Sequence, residues 1–166
     1  MSKRKIEAKR VVDGLRLYRR GLRQLENGKA IQAATSAAAI AEVVMDEYRR
    51  LTVSHMFRMA SAATMKDFDR RAEQCREEQD AEFDLAERLL RAIMEGGREE
   101  EARRIDRLAA SAPWYRWRGI IRKAETRLAV FVDMVKETVS NHIEAGYRDA
   151  AKEILGRMDA KEEATA

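Results

Sequence analysis

Six cationic side chains between residues 5 and 23 recur at spacings that gather them on one helix face, about 100° wide. They are Lys5, Lys9, Arg16, Arg19, Arg20 and Arg23. The apolar residues fall on another face, which a helix would bury while keeping the cations in solvent. They are Val11, Leu15, Tyr18, Leu22 and Leu25. A row of guanidinium and ammonium groups along a rigid rod neutralises several phosphates at once. The pattern therefore predicts a surface for an anionic, phosphate-bearing partner.

The distribution of charge supports this prediction and also offers an alternative. Residues 1–23 hold nine Lys or Arg against two acids, a net charge of +7, although the whole chain carries only +4. Residues 77–87 hold six Asp or Glu and no base. This acidic segment would cancel the field of the basic helix if the two packed together. Internal pairing is therefore the competing interpretation of the basic face.

Residues 113–119, Pro-Trp-Tyr-Arg-Trp-Arg-Gly, form a second candidate site. Arg116 and Arg118 would stand in the first turns of a helix, where positive charge opposes the helix dipole and a bound phosphate would compensate it. Arg122 and Tyr115 would share the polar side of that helix. Tyr115 is the ring that we expect to stack on a nucleic-acid base.

The few residues that could act as nucleophiles or metal ligands form no catalytic pattern. His55 and His142 fall on apolar helix faces, where a buried neutral imidazole with one hydrogen-bond partner is the common outcome. Cys75 has no histidine nearby, and we expect it to be a small core residue. One Cys, two His and no Glu-x-x-His spacing predict no metal site, no cofactor and no enzymatic activity.

One spacing resembles an enzyme motif. Arg50 and His55 have the R-x4-H spacing, similar to the motif of the helical HEPN ribonucleases, in which a paired Arg and His cleave RNA. Leu51 departs from the polar residue usual after the arginine in that family. The resemblance covers these two residues alone, and we predict a structural role for His55.

The elements that must position these residues are helices. Residues 29–95 contain no Gly or Pro, and apolar residues recur through them at helical spacing. The sequence predicts an all-α fold, a bundle of about six long antiparallel helices with coiled-coil-like seams. The predicted helices cover about residues 2–26, 29–62, 65–95, 98–110, 113–144 and 147–158. Thr64-x-x-Asp67 resembles a capping box at the start of the third helix, and the alternative is that the second and third helices are one continuous, bent helix.

Two regular apolar seams define the expected core. The seam of the second helix comprises Ile31, Ala34, Ala38, Ala41, Met45, Tyr48, Thr52, His55, Met59 and Ala62. The seam of the helix after Pro113 comprises Trp114, Trp117, Ile121, Ala124, Leu128, Phe131, Val135, Thr138 and His142. Gaps of three and four residues are typical of helices packed side by side. We therefore expect Trp114 and Trp117 to be buried.

Three predicted helix ends share the pattern E-x-G-x4-A, at residues 26–33, 95–102 and 144–151. Gly readily adopts the left-handed conformation that ends a helix, and the Ala marks a close crossing by the next helix. The pattern resembles the turn between the two helices of a tetratricopeptide hairpin. The glycines follow no single period, so we predict three ordinary helical hairpins rather than a repeat array.

The predicted organisation is one helical domain at residues 1–158 and a disordered tail at 159–166. The charged N-terminus has no apolar run after it, and no stretch approaches the roughly 20 apolar residues that span a bilayer. We therefore expect neither a secretory signal nor a membrane partner. A single cysteine leaves no internal disulfide, which suits a cytoplasmic location.

These observations predict a non-enzymatic helical subunit that binds the nucleic-acid backbone within a larger nucleoprotein assembly. In size, charge and class the chain is similar to the small helical subunits of CRISPR effector complexes. Its other partners would be further protein subunits or a second copy of itself. The alternative is a protein-interaction adaptor or inhibitor, of the type found among phage and plasmid accessory proteins, with no nucleic-acid contact.

Overall fold

The computed structural model describes the backbone of residues 3–165, and the side chains of that range apart from residues 3–6, 47, 49 and 50. Within residues 3–165 the chain forms four α-helices and one 3₁₀ turn, and no strand. The helices are α1 (Lys3–Glu26), α2 (Ala30–Ala60), α3 (Met65–Ala110) and α4 (Trp117–Thr165), with the 3₁₀ turn at Trp114–Arg116. The prediction of an all-α fold is confirmed.

The predicted stop between α1 and α2 is confirmed at Asn27-Gly28. Gly28 has a φ of 72°, the left-handed conformation that suits glycine. The Lys29 N–H donates a 2.8 Å hydrogen bond to the Gln24 carbonyl, and the Asn27 N–H donates one of 3.1 Å to the Arg23 carbonyl. These bonds satisfy carbonyl groups at the end of α1 and bring the start of α2 beside it.

The predicted cap before α3 is also confirmed. The Asp67 N–H donates a 3.1 Å hydrogen bond to the Thr64 Oγ1, which satisfies one free donor at the start of the helix. The Asp67 carboxylate lies 2.5 Å from Arg70 and 2.9 Å from Arg71. The Thr64 hydroxyl therefore caps the N-terminus of α3, as its position in the sequence predicts.

The six-helix prediction is wrong at two of the three glycine-containing sites. Gly96 and Gly97 lie inside α3, and Gly146 lies inside α4, so each pair of predicted helices is one helix. The physical reason at Gly97 is packing. An added Cβ there would lie 2.3 Å from the Tyr18 ring. The missing side chain of Gly97 therefore makes room for Tyr18, and the helix continues through this residue.

α4 also continues beyond residue 158, the predicted end of the last helix, as far as Thr165. The assignment of one domain with a tail at residues 159–166 stays a prediction. The described residues cluster into two compact units. Unit 1 comprises Met1–Val44 and Arg88–Val139, and unit 2 comprises Met45–Glu87 and Ser140–Ala166.

The core of unit 1 is built where α1 meets α3 and α4. The rings of Tyr18 and Phe131 are both fully buried and meet edge to face, with their centroids 5.1 Å apart. Gly21 allows this approach, because a Cβ on it would lie 2.1 Å from the Phe131 ring. Other fully buried residues of unit 1 include Ile93 of α3, Val135 of α4, and Ala33 and Ile40 of α2. The buried face of α1 fixes which of its side chains face solvent.

Unit 2 has a smaller and more polar core. Its buried side chains include Tyr48, Thr52 and His55 of α2 and Cys75 of α3. The Tyr48 and Tyr147 hydroxyl groups lie 2.8 Å apart, which joins α2 to α4. The predictions that Cys75 and His55 are core residues are confirmed.

The α2 seam was predicted correctly between Ala41 and His55. Ala41, Met45, Tyr48, Thr52 and His55 are buried, as expected. In the first half, Ile31 is 83% exposed, and the buried residues are instead Ala33, Ser36, Ala37 and Ile40. The buried side of the first turns of α2 therefore differs from the predicted stripe. On that side the Ser36 hydroxyl donates a 2.7 Å hydrogen bond to the Gln24 side chain of α1.

Candidate functional site

The basic face predicted from the sequence lies on α1 and is exposed. Opposite it, Tyr18 and Leu22 are buried against the core of unit 1, which orients the helix. The predicted residues with exposed side chains are Lys9, Arg16, Arg19, Arg20 and Arg23. The side chain of Lys5 lies outside the described residues, so its role stays a prediction.

Four of these arginines line a groove between the end of α1 and the start of α2. The groove has a volume of about 450 Å³. Its lining residues are Arg16, Arg19, Arg20, Arg23, Gln24, Asn27, Lys29 and Gln32. Five of the eight are cationic, and none of them is a carboxylate. We call this surface the basic groove.

Sequence reasoning missed Lys29 and Gln32 as members of the basic groove. Both follow the Asn27-Gly28 turn by a few residues, so the turn folds them back beside the last turn of α1. The turn itself was recognised in the sequence. Extending the basic face across it to the first turn of α2 would have found both residues.

The cations of the basic groove differ in how far the protein neutralises them. Within the part of the chain that the structure describes, Arg20, Arg23 and Lys29 have no carboxylate partner. Arg16 lies 3.9 Å from the Asp13 carboxylate, and both side chains are well exposed, so this pair contributes little. The groove therefore keeps most of its positive charge available.

Arg19 is the exception, because Glu100 of α3 binds it. Two guanidinium nitrogens of Arg19 donate to the two carboxylate oxygens of Glu100. This hydrogen bond lowers the pKa of the Glu100 carboxyl and raises the pKa of the Arg19 guanidinium. Glu100 therefore competes with a ligand phosphate for the Arg19 guanidinium.

A second arginine-rich crevice lies on the other side of this pair, between α1 and α3. It has a volume of about 540 Å³. Its lining residues are Tyr18, Arg19, Leu22, Arg23, Gly97, Glu100, Glu101, Arg103, Arg104 and Arg107. The spacing of Arg103 and Arg107, four residues apart on one helix, could have identified their shared face. The two glutamates leave this crevice more nearly neutral than the basic groove.

Glu101, beside Glu100, has a structural role. Its side chain is only 5% exposed and is bound by Arg127 of α4, with Arg104 at 3.6 Å. Arg104 and Arg127 also reach Glu26 of α1, at 2.5 Å and 3.4 Å. These four residues tie α1, α3 and α4 together. The buried pair at the centre is Glu101 and Arg127, and the Arg104 and Glu26 side chains are partly exposed. We call them the buried ion network.

The acidic segment at residues 77–87 contributes an ion pair within unit 2. Glu78 lies 3.0 Å from both His55 and Arg58. The hydrogen bond from Arg58, followed by that from His55, lowers the pKa of the Glu78 carboxyl. On the α1 face, Arg19 pairs with Glu100 of α3, a residue outside the acidic segment that was not predicted as a partner.

His55 and Cys75 are poorly placed for chemistry on a bound polymer. The His55 side chain is 2% exposed, and its Nε2 is 3.0 Å from Glu78. Cys75 is buried beside it, with its thiol 3.8 Å from the His55 carbonyl. The side chain of Arg50 lies outside the described residues, so its pairing with His55 stays untested.

The second predicted cluster forms an exposed turn. All residues from 113 to 119 are exposed, which places Tyr115, Arg116 and Arg118 on the surface as predicted, and Arg122 is exposed as well. The prediction that Trp114 and Trp117 are buried is wrong. The chain turns at Pro113, and the buried row of α4 begins only at Ala124, one turn or more beyond these rings.

Comparison with protein-family models, with curated proteins and with solved structures gave no match to this chain. Among the described residues, no group of three or more His, Cys, Asp or Glu side chains is placed to hold a metal ion. No helix in the described part of the chain has the length and apolar character needed to cross a membrane.

The lowered pKa of Glu100 gives a prediction for acid denaturation. A carboxyl whose folded-state pKa is depressed stabilises the fold above its unfolded pKa, and this contribution is lost as the pH falls through the folded pKa. We expect the urea midpoint of Glu100→Gln to change less than that of the unaltered protein between about pH 5 and 3. Glu99→Gln, which removes an exposed carboxylate, should keep the original pH dependence. Parallel profiles for the unaltered protein and Glu100→Gln would contradict the prediction.

Proposed function

We propose that this protein binds the phosphate backbone of nucleic acids through the basic groove, as a non-enzymatic subunit of a larger nucleoprotein assembly. The observation that carries the proposal is the composition of the groove lining. Five cations converge there without a carboxylate among the lining residues, and three of them have no ion-pair partner within the described structure. Such a site attracts a polyanion and repels a cationic one.

The geometry favours a polymer with repeated phosphates. The cations extend along α1 from Arg16 to Arg23 and continue across the turn to Lys29. They therefore form an extended row of positive charge rather than a single binding position. Guanidinium groups donate two parallel hydrogen bonds to phosphate oxygens, and Gln24, Asn27 and Gln32 add neutral donors. Contacts of this kind read no base, so binding would tolerate any sequence and weaken with salt.

The non-enzymatic part of the proposal rests on His55. Its side chain is buried and hydrogen-bonded to Glu78, so the imidazole is withdrawn from any phosphodiester on the surface. The basic groove itself offers arginine, lysine and amide side chains. Arginine stays protonated at neutral pH and does not serve as a general base.

The test is a fluorescence-anisotropy titration against single- and double-stranded DNA and RNA, at about 50 and 200 mM salt. Arg20→Glu/Lys29→Glu removes two unpaired cations without breaking an ion pair of the described structure. Two lost phosphate contacts are expected to weaken binding about 30-fold at the lower salt. The slope of log K against log salt should also become shallower by about 2.

Arg76→Glu/Lys152→Glu is the matched control, because it reverses two exposed cations outside unit 1. It changes the net charge equally and should weaken binding far less. Equal losses for the two double variants would show that net charge, rather than the basic groove, determines affinity. Absence of binding at the lower salt would reject the proposed function.

Substitution of Glu100 is predicted to strengthen nucleic-acid binding rather than weaken it. Glu100→Gln releases Arg19 from its bidentate partner, and the freed guanidinium gains a phosphate contact. We expect affinity for nucleic acid to rise about fivefold and the salt slope to steepen by about 1. Glu99→Gln removes the same charge one residue earlier, where the carboxylate is 3.7 Å from Arg103. An equal gain in both variants would show that Arg19 has no special part.

A protein-docking function is the second candidate, and a surface of unit 2 favours it. A groove of about 570 Å³ there is lined partly by Phe57, Ile154 and Met158, two of which are conspicuously exposed for apolar residues. The same titration separates the candidates. Strong, salt-sensitive binding supports the basic groove, whereas a protein that binds no nucleic acid leaves the docking function.

A further inference from the structure

The turn between α3 and α4 exposes an aromatic cluster that the basic groove does not explain. Trp114 is 78% exposed, Tyr115 is 66% exposed, and Trp117 is 44% exposed. Scattered single apolar residues are normal on protein surfaces, but three aromatic rings within four residues of a turn are not scattered. We call Trp114, Tyr115 and Trp117 the aromatic turn.

The aromatic turn is held in a defined shape. Pro113 precedes it with φ −59° and ψ 141°, and the Arg116 N–H donates a 2.9 Å hydrogen bond back to the Pro113 carbonyl. The Trp117 Nε1 donates a 3.0 Å hydrogen bond to the Ala112 carbonyl, which fixes that indole against the turn. The Trp114 and Tyr115 rings lie nearly perpendicular, at 82°, and so present their faces in two directions.

The charge around the aromatic turn shows which kind of partner suits it. Arg116, Arg118, Arg122 and Lys123 are exposed, and none of them has a carboxylate partner among the described residues. The first turn of α4 contains no acid. A second copy of the chain would bring the same cations face to face and be repelled. The surface therefore suits an anionic partner that also presents flat apolar faces.

Single-stranded nucleic acid has both properties, since unpaired bases offer stacking faces and the backbone supplies phosphates. A lipid bilayer also attracts Trp and Arg, but it presents a plane. Here the cations continue into a concave groove of about 680 Å³, where Arg122 and Lys123 face Leu25 and Glu26 at the end of α1. A flexible strand can enter such a groove, whereas a membrane surface cannot.

We propose that the aromatic turn stacks unpaired bases, so that the protein selects single-stranded over double-stranded nucleic acid. This inference rests on the proposed function, because the basic groove supplies the backbone contacts. Both surfaces belong to unit 1, and the groove lined by Arg122 and Lys123 shares the last turn of α1 with the basic groove. In a duplex the bases are already stacked on each other, and the rings of the turn gain nothing from them.

The test compares three probes of about 16 nucleotides: a single strand, the matching duplex, and a single strand of abasic sites. The abasic strand keeps the phosphates and loses the stacking faces. The protein should bind the single strand about tenfold or more tightly than either of the other probes. Intrinsic tryptophan fluorescence should be quenched by the single strand and not by the abasic strand.

The decisive variant is Trp114→Ala/Tyr115→Ala, whose side chains are too exposed for the substitution to disturb the core. It should weaken binding of the single strand about tenfold or more, leave the duplex and the abasic strand unchanged, and keep the salt slope. Phe68→Ala removes an exposed ring from unit 2 and should change nothing. Circular dichroism checks that both variants keep their helix content.

The two proposals fail in different ways. If the unaltered protein binds none of the probes, the proposed function is rejected, and this inference with it. If it binds all three probes equally, or if the double aromatic variant loses no affinity for the single strand, base stacking is rejected while backbone binding stands. Binding to anionic phospholipid vesicles that depends on Trp114, without preference for the single strand, would also overturn the inference.

Discussion

Glu101→Ala is expected to lower the free energy of unfolding by about 3 kcal/mol, because it breaks the buried ion network at its centre. Glu101 is bound by Arg127, whose side chain is 13% exposed, and its removal leaves that guanidinium with the more distant Glu26 alone. A buried charge that loses its partner keeps the full penalty of desolvation. Urea denaturation followed by circular dichroism measures the change.

Glu99→Ala is the matched control for this prediction. Glu99 lies two residues away on α3, and its carboxylate is 71% exposed and 3.7 Å from Arg103. An exposed pair of this kind contributes little, so the variant should lie within about 0.5 kcal/mol of the unaltered protein. Similar losses for Glu99→Ala and Glu101→Ala would mean that burial of the network does not determine its contribution.

Gly21→Ala is expected to lower the free energy of unfolding by about 2 to 3 kcal/mol. The added methyl group would lie 2.1 Å from two atoms of the Phe131 ring. That ring is fully buried and packs edge to face on Tyr18, so it has no room to withdraw. α1 must therefore move away from α4, which loosens the packing of unit 1.

Gly119→Ala tests the same change of residue where space is open. Apart from the adjacent residues and the backbone of its own helix, no heavy atom lies within 4 Å of the position that its Cβ would take. Alanine loses less conformational freedom on folding into a helix than glycine does. The free energy of unfolding of this variant should therefore rise by about 0.5 to 1 kcal/mol. A stability loss at Gly119 as large as at Gly21 would show that the effect does not come from contact with Phe131.

Local chemistry in the sequence was sufficient to predict some helix ends. Gly28 and Thr64 act through their own backbone and side chain, and both lie where the turn and cap were predicted. Gly97 could not be understood in this way. Its role depends on the Tyr18 ring, a contact across 79 positions of the chain that local reasoning does not contain. The same Gly-containing pattern therefore ends one helix and packs inside another.

In the candidate site, too, some features could be predicted from local sequence, whereas others depended on tertiary contacts. The exposed cations of α1 were predictable, because helical periodicity separates them from the buried Tyr18 and Leu22. The pairing of Arg19 with Glu100 required the tertiary fold, and so did the exposure of Trp114. A regular apolar spacing predicts a buried stripe only where a neighbouring helix covers it, and the stripe of α4 is covered from Ala124 onward.

Arg19 and Arg23 line both the basic groove and the crevice between α1 and α3. A substitution of Arg19 or Arg23 therefore changes both surfaces at once, and its effect cannot be assigned to one of them. Arg20 and Lys29 face the groove alone, and Arg103 and Arg107 face the crevice alone. A mutational dissection that assigns one phenotype to one surface can therefore be built from these four residues.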